Sequence, residues 1–138
     1  MNVFVPFTEF DRCAAFLDNS RLNKQLAEGA QIMRVIDKWP NAAWAHHPAV
    51  LSWVGHLDAL FVYLQHIEFE RTEHRGFNTH REWLNIVDMF VEFYVGMPFE
   101  YPTWWGDPAV HKSHYDNLLL KFAGRPHGDY VWPVSISK

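Results

Sequence analysis

The spacing of apolar and polar residues predicts an amphipathic helix near the start of the chain. Placed at 100° intervals, residues 17–33 form two distinct sides. The side that must pack carries small and apolar residues: Leu22, Leu26, Gly29, Ala30 and Met33. A narrow polar arc carries Arg21, Lys24, Glu28 and Gln31. Asp18, Asn19 and Ser20 supply the side-chain oxygens that cap a helix start. The polar arc therefore needs a partner other than the core.

In the first half of the chain, the same reasoning predicts an extended arm and three helices. The opening residues are expected to be extended, and Thr8 to cap a short helix that runs to about residue 17. The amphipathic helix is expected to end near Trp39-Pro40, and a loop follows. Pro48 then begins a long stretch with apolar residues at helical spacing, for which Gly76 is the expected stop.

In the second half, the pattern predicts two further helices and a returning tail. A helix is expected over about residues 79–95, and prolines and a glycine make 96–107 irregular. The residues of the first of these helices that should face inward are Trp83, Ile86, Met89 and Phe90. Asp107 as cap and Pro108 in the first turn begin a last helix that runs to about Phe122. The aromatic tail "YVWPVSISK" is expected to pack back as an extended segment. The predicted fold class is all-α.

Length and composition favour one compact domain over residues 1–138. A chain of 138 residues can bury a core, and 49% hydrophobic with 17% aromatic residues excludes a disordered profile. No apolar run has membrane-spanning length, and the start lacks the regions of a secretory signal. Cys13 is the single cysteine, which excludes an internal disulfide and suits a reducing compartment. We therefore expect a cytoplasmic monomer that does not associate with membranes.

The charge distribution limits how the chain can contact nucleic acid. A net charge of −4 argues against a general nucleic-acid coat, which is normally basic. Acidic residues cluster in the middle of the chain, whereas basic residues gather at 21–24 and 121–125. A local basic surface is therefore compatible with the acidic total, and the nine histidines add positive charge below neutral pH.

Three short motifs, in order along the chain, resemble the pyrimidine-dimer DNA glycosylases. They are "LDNSRLNKQLAEG" from Leu17, "RGFN" from Arg75 and "LLLKFAGRPHGDY" from Leu118. The resemblance implies a helical bundle of the endonuclease V type, with an extended N-terminal arm and an aromatic C-terminal tail. It also implies a partner, double-stranded DNA with a damaged or modified base, from which the protein flips a base.

The resemblance further implies a reaction without metal or cofactor. An amine attacks the sugar C1′, a Schiff base forms, and β-elimination can then nick the strand. Glu28 stands eleven residues after Leu17, which is the spacing of the family's catalytic glutamate. The family's amine is the N-terminus, which here belongs to Met1, or to Asn2 if Met1 is removed; Asn2 is a poor context for removal. Lys24, one helical turn from Glu28, is the alternative amine.

The surroundings of Glu28 and the basic residues suggest their chemistry. A carboxylate beside Arg21 and Lys24 is expected to ionise readily, as suits a base or a group that stabilises an oxocarbenium ion. Arg21, Lys121 and Arg125 are expected to contact phosphates. The full set expected to contact DNA is Arg21, Gln25, Gln31, His47, Arg75, Trp104, Trp105, His114, Lys121 and Arg125. Trp104 and Trp105 either stack on DNA or fill the core.

Two alternatives stay open from the sequence. The first is a metal-dependent hydrolase that uses the histidines, with His111 and His114 on one helix face near Asp107. Neither an HExxH motif nor a deaminase cysteine pair supports it. The second is a DNA-binding module that has the same fold and has lost the amine. In the preferred interpretation, no residue binds a metal.

Overall fold

The structure, a computed structural model, describes residues 2–39, 41–43, 45–96 and 98–133. In these ranges seven α-helices are present and no strand, which confirms the all-α prediction. The helices are α1 (Phe10–Phe16), α2 (Asn19–Lys38), α3 (Pro48–Leu51), α4 (Leu57–Phe69), α5 (Arg81–Met89), α6 (Val91–Tyr94) and α7 (Pro108–Phe122). One π-helical turn, Glu70–His74, continues α4. Within the described ranges, every helix is too short or too polar to cross a membrane.

Two helices begin where the sequence predicts, each at a strong capping residue. Asp18 precedes α2, and its carboxylate accepts a hydrogen bond from the Arg21 backbone amide at 3.0 Å. Asp107 caps α7 in the same way, ahead of Pro108. Thr8 does not cap α1, because that helix begins only at Phe10. Local capping chemistry therefore determines where α2 and α7 begin.

Two predicted helices are each broken into two pieces. The stretch that begins at Pro48 leaves helical geometry after Leu51, and Gly55 adopts a φ of +81°, which an α-helix does not accommodate. The predicted helix 79–95 is interrupted at Phe90, whose ψ of 45° turns the chain and leaves its ring buried. Gly76, with a φ of +72°, ends the π-helical turn and is confirmed as a stop. A glycine at positive φ marks the first break, and burial of the Phe90 ring accompanies the second.

The core lies where α2 crosses α4, with α1 and α5 packed beside them. The predicted packed side of α2 is confirmed, since its apolar side chains are buried: Leu22, Leu26, Ala30 and Met33. Gly29 lies at the crossing, where a Cβ atom would come within 2.5 Å of Leu64 Cδ2. The absence of a side chain at Gly29 thus lets the two helices approach closely.

Both ends of the described chain pack against α7. The arm is extended over residues 2–6, as predicted. The tail runs back along α7, because the Gly128 amide donates to Asn117 Oδ1 at 2.7 Å and the Val131 amide donates to Ser113 Oγ at 2.9 Å. This confirms the returning tail as far as residue 133, and residues 134–138 lie outside the described ranges. The arm and the tail therefore meet beside the polar arc of α2.

Candidate active site

Buried side chains of α2 and α4 hold the first part of the arm. The Phe4 amide donates to Gln25 Oε1 at 3.0 Å, and the Phe4 carbonyl accepts from the Tyr63 hydroxyl at 2.6 Å. Gln25 Nε2 donates to the Asn2 carbonyl at 3.0 Å. A buried extended segment needs partners for its backbone groups. These side chains supply the hydrogen bonds that a neighbouring strand supplies in a sheet.

Two histidines of α7 hold the next residue of the arm. The Val5 amide donates to His114 Nδ1 at 3.1 Å, and His111 Nδ1 donates to the Val5 carbonyl at 2.7 Å. The Gly106 amide donates to His111 Nε2 at 3.0 Å, which fixes the His111 tautomer. Both rings are buried. The arm is therefore anchored to three helices over four consecutive residues.

The arm brings Asn2 to the polar arc of α2 at Glu28. The amide of Gln25 that binds the Asn2 carbonyl also donates to Glu28 Oε2 at 3.1 Å. Glu28 opens into a cavity of about 240 Å³. Its lining consists of Phe4, Ser20, Arg21, Lys24, Glu28 and Lys121. Three cationic side chains thus surround one carboxylate in a chain of net charge −4. Gln31 is exposed farther along α2 and does not line this cavity.

The Glu28 carboxylate is harder to ionise than its neighbours suggest. Burial raises the pKa of Glu28 above its ordinary value, and this effect outweighs the Asn2 backbone amide and the cations Lys121 and Lys24, which lower it. The expectation of a readily ionised carboxylate is therefore wrong. A half-buried carboxyl group with a raised pKa takes up a proton more readily than an exposed one, which suits a group that accepts and returns protons in general acid–base chemistry.

Lys121 of α7 lines the same cavity as Glu28. Its Nζ lies 5.1 Å from the centroid of the Phe4 ring and 5.6 Å from that of Tyr130. Burial, together with the nearby Arg21, lowers the pKa of Lys121. The ammonium group is thus held between two aromatic faces at the edge of the site.

A second cavity, of about 440 Å³, lies next to Asn2 and Lys121. It is lined by Asn2, His47, Pro48, Lys121, His127, Gly128, Asp129, Tyr130 and Trp132. His47 Nδ1 accepts from the Ala49 amide at 3.1 Å, and burial lowers the pKa of His47. From the sequence, we did not assign Phe4, Ser20, His127, Asp129, Tyr130 or Trp132 to the site. The signal for His127, Asp129 and Tyr130 was the "RPHGDY" segment after Lys121, whose position depends on the tail returning along α7.

Several residues predicted to contact DNA lie inside the protein instead. Gln25 and His114 are fully buried and bind the arm. Trp104 is buried, and its indole Nε1 donates to the Ser52 carbonyl at 2.8 Å. Trp105 is partly buried, and its Nε1 donates to the Thr8 carbonyl at 2.9 Å. This placement contradicts direct DNA contact by Gln25, His114 and Trp104, because all three side chains are buried and each binds a protein partner.

Arg75, which was also predicted to contact DNA, binds protein groups and stabilises the fold. Its guanidinium donates to the Leu17 carbonyl at 2.7 Å and to Asn19 Oδ1 at 2.9 Å, and its Nε donates to Glu70 at 2.9 Å. It therefore joins the end of α1 and the start of α2 to the π-helical turn. Arg125, by contrast, is exposed just beyond α7.

The described residues offer little to a metal ion. Within the described part of the chain, no group of three or more His, Cys, Asp or Glu side chains is arranged to hold one. His111 and His114, the pair that the hydrolase alternative needs, use ring nitrogens to hold Val5. Met1, the predicted source of the amine, lies outside the described residues.

The comparison with known families agrees with this geometry. A family model described as pyrimidine dimer DNA glycosylase matches residues 1–85, which is more than half of the chain. The chain belongs to this family. The matched range includes the arm, Glu28 and the "RGFN" motif. The segment with Lys121 lies beyond this range. Membership supports DNA glycosylase activity as the general function. No curated protein and no solved structure matches the chain.

Proposed function

We propose that the protein excises a damaged or modified pyrimidine from duplex DNA through a flipped nucleotide, with Glu28 as the catalytic carboxylate and an amine as the nucleophile. The observation that supports this most directly is the shared amide of Gln25, which binds the Asn2 carbonyl and the Glu28 carboxylate together. A nucleophile and a proton-transfer group must lie within reach of one sugar. The position of Asn2, which is linked to Glu28 through Gln25, supports this proposal.

The proposed reaction needs proton transfers that Glu28 is suited to carry. The amine attacks C1′ with its lone pair, the C1′–N bond breaks, and the base leaves with the bonding electrons and takes up a proton. The sugar ring then opens, O4′ gains a proton, and the nitrogen loses one to form the Schiff base. Loss of a C2′ proton expels the C3′ oxygen and nicks the strand, and water finally releases the amine. The raised pKa of Glu28 favours this role as a proton shuttle.

The proposed nucleophile is the α-amino group at the start of the chain. It belongs to Met1, or to Asn2 if Met1 is removed, and any preceding segment would abolish it. The support is the position of Asn2 beside Glu28. Lys24 and Lys121 line the same cavity and are the alternative amines.

The proposed DNA contacts follow the cations and cavities around Glu28. Arg21 and Lys121 line the cavity, and Arg125 is exposed near the end of α7. We propose that these three side chains contact phosphates. The larger cavity beside Asn2 offers Tyr130 and Trp132 as stacking surfaces for a flipped nucleotide.

Borohydride trapping on a duplex with one abasic site tests the amine. We expect a covalent protein–DNA adduct, and mass spectrometry of its peptides should place the adduct on the first residue of the mature chain. An adduct on Lys24 or Lys121 would overturn the assignment of the amine. If the wild-type protein forms no adduct and excises no base from ultraviolet-irradiated duplex, the proposed function is wrong.

The substitution Glu28→Gln tests the carboxylate. Glutamine keeps the size and removes the proton shuttle, so excision should fall by roughly 10²–10⁴-fold. DNA binding should persist or tighten, because a charge that repels phosphate is gone. The control is Glu92→Gln, the same change at an exposed position of α6. Full excision by Glu28→Gln would show that Glu28 is not the catalytic carboxylate.

A further inference from the structure

We propose that Gln25 is a positioning residue of the excision reaction, whose amide holds the backbone of Asn2 and the carboxylate of Glu28 in fixed relation to each other. This inference rests on the proposed function, because it concerns the same carboxylate and the same end of the chain. Gln25 is fully buried. It therefore acts through its neighbours, out of reach of DNA.

Both polar atoms of the Gln25 side chain have hydrogen-bond partners. A glutamine side chain offers two donor hydrogens and two acceptor lone pairs. Oε1 accepts from the Phe4 amide at 3.0 Å, and it also lies 2.9 Å from the Tyr63 hydroxyl, whose single hydrogen it shares with the Phe4 carbonyl. Nε2 donates to the Asn2 carbonyl at 3.0 Å and to Glu28 Oε2 at 3.1 Å. Both donor hydrogens and the acceptor oxygen have partners, so the group has one satisfied orientation.

The partners also fix which way the amide points. The Phe4 backbone amide can only donate, and the Asn2 carbonyl can only accept. A 180° flip of Gln25 would place donor against donor and acceptor against acceptor inside the core, where unsatisfied polar groups are costly. Nε2 therefore points to the reactive side of the network, which is Asn2 and Glu28, and Oε1 points to Phe4 in the core.

Other side chains that hold the arm do not contact Glu28. Tyr63 binds the Phe4 carbonyl, while His111 and His114 bind Val5. Among the residues that the structure describes, only Gln25 is hydrogen-bonded both to the arm and to Glu28. A role in the reaction is thus separable from a role in holding the arm.

The hydrogen bond from Gln25 favours the charged form of Glu28. Among the residues that the structure describes, the charged and titratable groups that face Glu28 are Arg21 and Lys24 on α2, Lys121 on α7 and, at the far side of Gln25, Tyr63 on α4. Loss of the donor leaves those groups in place, so the pKa of Glu28 should rise further. The acidic limb of the pH–rate profile should then move to higher pH.

The test compares Gln25→Met with Tyr63→Phe. Methionine has a similar length and neither donates nor accepts strongly, so both bonds to the reactive side are lost. Tyr63→Phe removes a fully buried hydroxyl that contacts Gln25 and Phe4, and leaves the bonds from Gln25 to Asn2 and Glu28. The probes are a duplex with one thymine dimer and a duplex with one abasic site. Folding of each full-length variant is checked by circular dichroism.

For Gln25→Met we expect kcat to fall roughly 10–100-fold with KM nearly unchanged, because the reacting groups lose alignment while the DNA surface is intact. The acidic limb of the pH–rate profile should move to higher pH in Gln25→Met and stay unchanged in Tyr63→Phe. If Gln25→Met does not fold, Gln25→Glu replaces it, since a carboxylate still accepts from Phe4 and Tyr63 and cannot donate to Glu28. This variant should shift the limb further, because two carboxylates would adjoin.

The outcomes separate the two proposals. If the wild type is active, Glu28→Gln is inactive, and the Gln25 variant matches Tyr63→Phe in kcat and pH profile, the positioning role is overturned and the proposed function stands. If the wild type does not act on either duplex, or Glu28→Gln is fully active, the proposed function itself fails. A shifted limb and reduced kcat in the Gln25 variant alone support the positioning role.

Discussion

Acidification should weaken the fold through His114, which links α7 to the arm. His114 is fully buried, and its Nδ1 accepts the hydrogen bond from the Val5 amide. The ring can accept this bond only while Nδ1 carries no proton. Burial, with the nearby His111, lowers the pKa of His114 to about 3. Protonation of the folded protein is therefore resisted until the pH is far below that of an ordinary histidine.

The direction and size of the effect follow from proton linkage. An unfolded histidine has a pKa of about 6.5, so between pH 6.5 and about 3 the unfolded chain binds a proton that folded His114 does not. The free energy of unfolding is unaffected by His114 above pH 6.5 and falls below it. The loss is about 1.4 kcal/mol per pH unit, or roughly 2 kcal/mol at pH 5. This is a large part of a typical stability of 5–15 kcal/mol.

Urea unfolding at pH 7, 6 and 5 measures this loss in the wild type and in His114→Gln. Glutamine can still accept from the Val5 amide and does not titrate. The wild type should lose about 2 kcal/mol more than His114→Gln between pH 7 and pH 5. Burial also lowers the pKa of His47, His66 and His80, and these groups contribute equally to both proteins.

The control for this experiment is His46→Gln, which removes an exposed histidine. Its free energy of unfolding should follow the wild type at every pH. Equal pH dependence of the wild type and His114→Gln would refute the argument that a neutral, buried His114 holds the arm.

Three further predictions concern the core, the DNA surface and metals. Gly29→Ala should lower the free energy of unfolding by roughly 1–3 kcal/mol, because its Cβ would lie 2.5 Å from Leu64 Cδ2; equal or higher stability in urea would contradict this. Replacing Lys121 and Arg125 together by Ala should weaken binding to all duplexes and flatten the salt dependence by about one to two units; fluorescence anisotropy with an unchanged slope would place DNA elsewhere. Chelation with EDTA should leave excision of a thymine dimer unchanged, and a loss that zinc restores would favour the hydrolase alternative.

The parts of the fold that the sequence predicts depend on local signals. Asp18 and Asp107 cap α2 and α7 through hydrogen bonds to residues two or three positions away. The apolar side of α2 needs only helical spacing to be recognised. The break at Gly55 has a local signal, a glycine at positive φ, which the helical spacing around it obscured. The break at Phe90 has no such signal, since it accompanies burial of the Phe90 ring in the core.

The polar residues of the site show the same limit more clearly. Gln25 resembles a surface residue of an amphipathic helix until its partners are known, and one of them, Phe4, lies 21 positions earlier in the chain. The raised pKa of Glu28 arises because the surrounding structure removes water from a carboxylate that the sequence shows beside cations. Nearest-neighbour charge predicted the wrong direction, since desolvation is a tertiary effect.

The need to bury an extended arm explains why Gln25 and His114 were wrongly predicted to contact DNA, and it bears on the metal-dependent alternative. An arm without a paired strand requires side chains to bind its backbone, and α7 meets this need with His111 and His114 on the two backbone groups of Val5. In a neutral imidazole, one nitrogen has a lone pair and the other carries hydrogen. His114 spends its lone pair on the Val5 amide, and His111 spends its own on the Gly106 amide. A metal ion on these lone pairs would displace both amides, and Val5 would lose its hydrogen bond to His114. Metal ligation through these lone pairs is therefore incompatible with the hydrogen bonds that the two rings accept from Val5 and Gly106.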